Sequence, residues 1–314
     1  MIQIVFIVWI AIALLMLYTR ELYRILIYFC IFSMITSFCF LVLGATDVAM
    51  AEAAIGVFTT IFFIICFERH YNLNTDTPSK PYKDKISISF KKYIPHVLFT
   101  GALFGLFLYF RPDAAANPHL KEQYISTFMD NIVGDNPVTA IYLKFRVYDT
   151  LFEALVLVIS VVAVSHMSWY DITSTDDGQH SEIEDLGMAV FTTRIICPVI
   201  LVFGLFLIIN GQFSPGGGFQ GGLAIAVFFI CRYMIFDIYD LPINKVIRME
   251  ELLFASTIVL AIFVVFQNMT ESIPDAYLPR FQSIYLMSMN VLIGMKVACA
   301  FFLLFYRYIA IERS

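Results

Sequence analysis

Charged residues are scarce in this chain. Asp, Glu, Lys and Arg make up 14% of its 314 residues, whereas a soluble domain holds roughly 25%. Hydrophobic residues make up 60%, and the mean hydropathy is +0.80. So few charges cannot give a globular protein its polar surface. The composition therefore excludes a soluble protein and predicts an all-α, polytopic integral membrane protein embedded in the lipid bilayer.

Patterns typical of metal sites and enzymes are missing as well. The six cysteines are scattered through apolar segments without a C-x-x-C pair, and no two of the five histidines stand at ligand spacing. The sequence has no recognisable nucleophile–base set, haem-ligand pair or nucleic-acid-binding face. We therefore expect no catalytic residue, no cofactor, no resident metal and no nucleic-acid partner.

Nine hydrophobic segments are long enough to cross a hydrocarbon core of about 30 Å. Lys and Arg concentrate in cytoplasmic loops. When the N-terminus is placed outside the cell, most Lys and Arg residues fall in the loops on the cytoplasmic side. Because nine spans is an odd number, the C-terminus is then predicted to be cytoplasmic. The first segment lacks signal-peptide features and is expected to be retained. The predicted spans are residues 2–19, 25–43, 48–67, 94–110, 138–166, 188–209, 219–236, 251–267 and 283–306.

Two polar linkers divide these spans into three blocks. Residues 68–92 and 168–187 have no hydrophobic period, so both are predicted to be loops. The second linker is rich in Asp and Glu, which is typical of a solvated hinge or of a docking site for a basic partner. The predicted units are residues 1–75 with three spans, residues 76–170 with two, and residues 187–314 with four.

The stretch between the fourth and fifth spans has a different pattern. Residues 119–133 carry apolar side chains at four-residue spacing with polar residues between them. That pattern predicts a lateral amphipathic helix lying along the outer surface. Asn136 and Pro137 follow, and they are typical of the N-cap and first turn of a helix.

The N-terminal half of the fifth span carries four charged residues. At 100° per residue Arg146, Asp149 and Glu153 share one face of a helix, and Lys144 points nearly the opposite way. Charges at membrane depth cost a few kcal/mol or more each, so this face should contact protein or water. Two interpretations remain open: a relay for ions or protons, and a structural pairing of Arg146 with Asp149.

Two further spans each carry one isolated charge. Glu52 lies among small residues that allow another helix to approach closely, which favours either a proton-carrying role or a structural hydrogen bond. Lys296 lies near the middle of the ninth span, too deep to reach the membrane surface easily. It needs an acidic partner or water, and Asn290 could line the same cavity. Lys296 is thus predicted either to take part in ion passage or to form a structural pair.

A glycine-rich string, GQFSPGGGFQGG, separates the sixth and seventh spans. It satisfies G-x-G-x-x-G, but a dinucleotide site also needs a preceding strand and a βαβ unit, which are missing. We expect a tight re-entry whose backbone N–H groups face a cavity or whose glycines pack against a helix. Gly101 and Gly105, a G-x-x-x-G pair, are also expected to pack. The re-entry residues are Pro215, Gly216, Gly217, Gly218, Gly221 and Gly222.

Several strings resemble those of the Mrp-type multisubunit Na⁺/H⁺ antiporters and of the related membrane-bound hydrogenases. The string LGATDVAMAEAAIG in residues 1–75 resembles the hydrogenase D subunit. The string KFRVYDTLFEALVL resembles the E subunit, and both regions correspond to the C-terminal end of the antiporter A subunit. The strings SPGGGFQGG and NVLIGMKV resemble the antiporter B subunit. The resemblance implies a fusion of units that are separate chains in relatives.

The resemblance also implies a role. The family's membrane proteins assemble into complexes related to respiratory complex I, in the prokaryotic cell membrane, where Na⁺ is exchanged for H⁺. The acids matching Glu52, Asp149 and Glu153 are implicated in the ion path, which leaves room for a transient Na⁺ near Asp149 and Glu153. The family's D-F-R-G-x-D-T-L-G-E begins here with Lys144, so an acid is replaced by a base.

The implied partners are other membrane subunits, including long antiporter-like subunits, because this chain lacks their repeated bundles of broken helices. A hydrogenase or another ferredoxin-linked redox module is a further candidate partner. Two functions therefore compete: part of a proton or sodium path in an antiporter module, and a scaffold that joins antiporter and redox modules. A direct redox enzyme is disfavoured because the sequence has no cofactor ligands.

Overall fold

The structure is a computed structural model that describes residues 2–19, 21–71, 90–109, 118–131, 135–167, 187–235, 243–270, 273–274 and 277–310. All of its long elements are helices. They are α1 (Ile2–Tyr18), α2 (Leu22–Val42), α3 (Thr46–Tyr71), α4 (Phe90–Tyr109), α5 (Pro118–Asn131), α6 (Pro137–Ala140), the π-helical segment π1 (Ile141–Phe145), α7 (Val147–Met167), α8 (Gly187–Asn210), α9 (Gly218–Ile235), α10 (Ile243–Thr270) and α11 (Leu278–Ala310).

Length and hydropathy identify the helices that can cross a membrane. In the described part of the chain, six helices are long and apolar enough to do so, and two shorter apolar helices lie at Gln3–Tyr18 and Gly218–Tyr233. The all-helical class is therefore confirmed for the described residues, and the six apolar helices support a polytopic membrane protein. The count of nine spans and the orientation of the termini stay predictions. The acidic linker at 168–187 lies, except for Gly187, outside the described residues.

The centre of the bundle is α11. Burial covers 61% of its hydrophobic window, against 22% for α3, α7, α8 and α10. α11 packs against α9, α10, α7 and α8, and α9 joins it to α8 and α3. The largest buried cluster includes Leu143, Met289 and Val297, which carry aliphatic side chains from π1 and α11. A helix that is buried over most of its length can hold polar groups away from lipid, so α11 is the element on which a site inside the membrane can form.

The fifth predicted span is not one continuous helix. π1 interrupts it at Ile141–Phe145, and the Arg146 N–H donates to the carbonyl of Ile141 at 2.8 Å. The Thr150 hydroxyl donates to the carbonyl of Tyr142 at 2.6 Å, and the Tyr285 hydroxyl donates to that of Leu143 at 2.8 Å. These hydroxyls satisfy backbone acceptors in a region without bulk water, which is how membrane proteins tolerate an interrupted helix.

The amphipathic helix is present as α5, but its apolar face contacts protein. Phe128 is buried in the main cluster, and the Tyr124 ring lies 5.1 Å from the Phe145 ring. Asn136 caps α6 as predicted, since its Oδ1 accepts the Val138 N–H at 3.0 Å. Gly101 and Gly105 do not pack within the described part of this chain, because a Cβ atom at either would meet open space.

Candidate functional site

A buried ion pair joins α10 to α11. The Lys296 Nζ atom lies 3.2 Å from Glu250 Oε1, and the two side chains are 1% and 2% exposed. Glu250 belongs to a helix because α10 begins at Ile243, well before the predicted start at residue 251. Desolvating two charges to this degree costs about as much as their attraction returns. Stability alone therefore does not explain the pair.

Lys296 also contacts α7. Its Nζ atom donates a short hydrogen bond to the carbonyl of Ala154 and lies 5.6 Å from the centre of the Phe254 ring. Glu250 Oε1 accepts no hydrogen bond of good geometry within the described residues, although Nζ is 3.2 Å away. Charge attraction tolerates poor angles, so the contact is an ion pair. The carboxylate keeps acceptor capacity for a water molecule or a proton.

Three of the predicted charges lie on the surface at the start of α7 rather than in this core. Arg146 forms an ion pair with Asp149, with exposed fractions of 63% and 51%. Glu153 is exposed as well, and it has no ion-pair partner among the described residues. Lipid contact at this depth would cost a few kcal/mol or more for each charge. This face therefore needs water or a neighbouring protein to cover it.

Lys144 points into the bundle instead. Its Nζ atom donates to Oε1 of Gln282 on α11 at 2.8 Å, and it lies 5.6 Å from the centre of the Phe145 ring. The side chain is half-buried. It thus meets a neutral amide and an aromatic face, which solvate an ammonium group without neutralising it.

Glu52 is half-buried between α2 and α3. The buried Ser33 hydroxyl donates to Glu52 Oε1 at 2.9 Å. Gly56, one turn further along α3, lies against the same serine, and a Cβ atom there would overlap the hydroxyl. Small residues thus bring the two helices together around this carboxyl group, as the sequence predicted.

The glycine-rich loop between α8 and α9 contacts residues from all three predicted units. Gly216 and Gly217 have φ angles of 147° and 149°, which L-residues rarely adopt. The Gly216 N–H donates to Asp47 Oδ1 at 3.1 Å, and the Gly218 N–H donates to Asn290 Oδ1 at 3.1 Å. These two donors bind side chains of this chain, which disfavours an anion site. Asp47, in the first turn of α3, therefore binds this loop.

The remaining glycines allow close helix packing. A Cβ atom at Gly222 would overlap the Gly294 carbonyl of α11, and one at Gly218 would lie 2.6 Å from the Asn290 carbonyl. A Cβ atom at Gly221 would lie 2.6 Å from the Gly204 carbonyl of α8. The loop thus holds α9 against both neighbours, which is the packing alternative of the sequence interpretation.

The predicted residues do not form one cluster. Lys296 is in the core, Arg146, Asp149 and Glu153 are on the outer face of α7, and Glu52 lies between α2 and α3. The described residues contain no group of three His, Cys, Asp or Glu side chains that could hold a metal ion. Sequence reasoning missed Glu250 because it lies beside other charges just before the apolar run. The need of Lys296 for an acid was the signal that could have found it.

Two known families match parts of this sequence. Residues 188–303 match a domain related to the MnhB subunit of Na⁺/H⁺ antiporters, and residues 7–71 match the D subunit of MBH. The first range contains Lys296, Glu250 and the glycine-rich loop. The second contains Glu52 and Asp47.

Individual relatives agree with these matches. An uncharacterized protein of Methanocaldococcus jannaschii is 31% identical over 143 residues, which are 41% of this chain and 53% of the relative. A probable K⁺/H⁺ antiporter A/B subunit of Rhizobium meliloti is 25% identical over 226 residues, which are 64% of this chain and 22% of the relative. This chain thus spans about half or less of these relatives.

A solved structure shares the fold. The Mrp complex from Dietzia sp. DQ12-45-1b superposes on 98% of this chain, and on 34% of the matched chain, with a TM-score of 0.73 and 16% identity. At that identity the likeness shows the fold alone. The two family matches make this chain similar to membrane-arm subunits of the Mrp antiporters and of the membrane-bound hydrogenases, with an MBH D-like region and an MnhB-like region in one chain.

Proposed function

We propose that this chain is a membrane component of a multisubunit Na⁺/H⁺ antiporter module, in an assembly related to complex I, and that it contributes part of the proton or sodium path. The observation that carries the proposal is the buried pair of Glu250 and Lys296. Ionisable side chains inside a membrane protein are costly, and those that face the interior of a bundle mark ion pathways and proton relays. Their helices lie in the MnhB-like part of the chain.

In this proposal the pair is the place where protons are taken up and released. As ammonium and carboxylate 3.2 Å apart the pair holds one transferable proton, and each group stabilises the charge of the other; it holds two when the carboxylate also gains a proton. An ion arriving from a neighbouring protein of the complex would change that balance. Glu153 on the outer face of α7 supports such a neighbour, since its carboxyl group needs a partner at membrane depth.

Other membrane subunits complete the path in this proposal, including long antiporter-like subunits, and the complex lies in a prokaryotic cell membrane. Na⁺ and H⁺ are cargo rather than resident cofactors. The match to the MBH family over residues 7–71 supports a second candidate, in which the chain mainly joins antiporter subunits to a redox module of the hydrogenase type. The two candidates predict different rates of Na⁺/H⁺ exchange for variants in which the buried pair has neutral side chains.

Replacing Glu250 with glutamine should slow Na⁺/H⁺ exchange by about a hundredfold, which is the lower range for loss of a proton-transfer group. The measurement is Na⁺-driven proton movement in inverted membrane vesicles, scaled to the amount of assembled complex. Glu251→Gln is the matched control, because Glu251 is the next residue of α10 and is exposed. Equal exchange in both variants would contradict the proposal and favour the joining role.

A further inference from the structure

A pocket of about 320 Å³ opens at the end of the bundle that carries the glycine-rich loop. Three segments line it, namely residues 44–48, 135–138 and 213–215. Two of its lining residues, Asp47 and Asp135, carry carboxyl groups, and Asn136 lies between the segments. The Asn136 amide donates to Asp47 Oδ1 and to the Gly211 carbonyl, both at 3.0 Å. The pocket therefore ends on a buried polar side chain.

Hydroxyl groups continue inward from Asn136. The Thr139 hydroxyl donates to the same Gly211 carbonyl at 2.7 Å, and it lies 3.4 Å from the Tyr142 hydroxyl. The Tyr142 hydroxyl donates in turn to Asn290 Oδ1 on α11 at 3.3 Å. Thr139 is fully buried and Asn290 is 1% exposed. A polar file thus runs from the pocket into an otherwise apolar core.

The inner end of this file is an amide group without a partner. Asn290 Nδ2 is buried and donates no hydrogen bond within the described residues. Its orientation is fixed, because the Gly218 N–H needs the Oδ1 atom as its acceptor. An unmade hydrogen bond of this kind costs about 1–3 kcal/mol. Buried water satisfies such groups in folded proteins.

The unpartnered amide lies between the pocket and the buried ion pair. Lys296 follows Asn290 by six residues on the same helix, which is about 9 Å along its axis. About three waters at hydrogen-bond spacing cover that distance. Glu250 lies seven residues, or about 10 Å, from the other end of α10. The ion pair is thus close to one end of the bundle, and a water file from the pocket to Lys296 would connect the pair with the other end.

We propose that Tyr142 and Asn290 anchor a short file of water molecules that conducts protons between the loop-end pocket and the Lys296–Glu250 pair. Each transfer breaks an O–H bond of a water or of the Tyr142 hydroxyl and forms the next, while the Asn290 amide holds a water in place and passes no proton, so the file needs no oxidant and returns to its starting charge. Tyr142 passes a proton when its hydroxyl accepts from one water and turns from Asn290 Oδ1 to donate to the next water, because a hydroxyl can both donate and accept. This inference rests on the proposed function, since it names the route by which that site exchanges protons with one side of the membrane.

The test uses the complete complex in proteoliposomes. Tyr142→Phe removes one hydroxyl and should slow Na⁺-driven proton flux by roughly tenfold or more. Tyr285→Phe is the matched control, because the Tyr285 hydroxyl binds the Leu143 carbonyl in the same core and lies off the file. Tyr285→Phe should leave the flux per assembled complex unchanged. A density map that shows waters should place one within hydrogen-bond distance of Asn290 Nδ2.

The outcomes separate the two proposals. Normal flux in Tyr142→Phe, with flux lost in Glu250→Gln, would overturn the water file and keep the ion pair. Normal flux in both variants would overturn the proposed function as well. If Tyr142→Phe does not assemble, the density map decides, and no ordered water at Asn290 Nδ2 in the unaltered complex would overturn the file.

Discussion

Replacing Lys296 with alanine is expected to lower the free energy of unfolding by about 3–5 kcal/mol. The change removes one partner of a pair whose side chains are 1% and 2% exposed, and it leaves the Glu250 carboxylate buried without its counter-charge. It also removes the hydrogen bond from Lys296 to the Ala154 carbonyl, so α11 loses a contact with α7. The readout is the amount of assembled complex that survives heating in detergent.

The paired variant is the control for this effect. Glu250→Gln combined with Lys296→Met removes both charges and leaves side chains of similar size. Exchanging a buried pair for neutral groups is often neutral for stability. We therefore expect the double variant to assemble nearly as well as the unaltered complex. If Lys296→Ala alone assembles normally, the pair is more hydrated than its burial indicates, and this account of its energetics is wrong.

Gly222→Ala should cost about 2–3 kcal/mol of stability by overpacking a tight helix contact. A Cβ atom there would overlap the Gly294 carbonyl and lie 2.9 Å from the Val297 Cβ atom. One atom is backbone, so a rotamer change cannot make room, and α9 must move away from α11. The shift would reach Lys296, which follows Gly294 by two residues. The measurement is the melting temperature of the purified complex.

Gly101→Ala is the matched control for this prediction. Nothing lies within 4 Å of a Cβ atom at Gly101, and alanine favours a helix by about 1 kcal/mol over glycine. The folding of this chain should therefore tolerate Gly101→Ala. Equal melting temperatures for Gly222→Ala and the unaltered complex would show that α9 and α11 are not packed as closely as the structure indicates.

Much of the fold could be predicted from hydropathy and local signals. Apolar length identified the long helices, four-residue spacing identified α5, and Asn136 with Pro137 identified the start of α6. These features depend on neighbouring residues alone. The requirement that Lys296 have an acidic partner was equally predictable, because a lysine at that depth cannot be solvated by lipid.

The site itself could not be completed from the sequence. Glu250 lies among charged residues where an apolar window ends, so hydropathy placed it in a loop although α10 continues through it. The π segment turns Lys144 towards Gln282, and no periodic pattern signals that change. The bonds from Asp47 and Asn290 to the glycine-rich loop join residues far apart in the chain. Tertiary packing decides such contacts.

The most direct test of the central claim, that the buried pair carries protons, is Na⁺-driven proton flux through complexes with Glu250→Gln and Lys296→Met together. The complexes would be reconstituted in proteoliposomes with an entrapped pH dye, and complexes carrying Glu21→Gln and Arg24→Gln, an exposed ion pair, would serve as the control. We predict an assembled complex with flux at background level, and full flux in the control. Full flux through the variant without the buried charges would contradict the account.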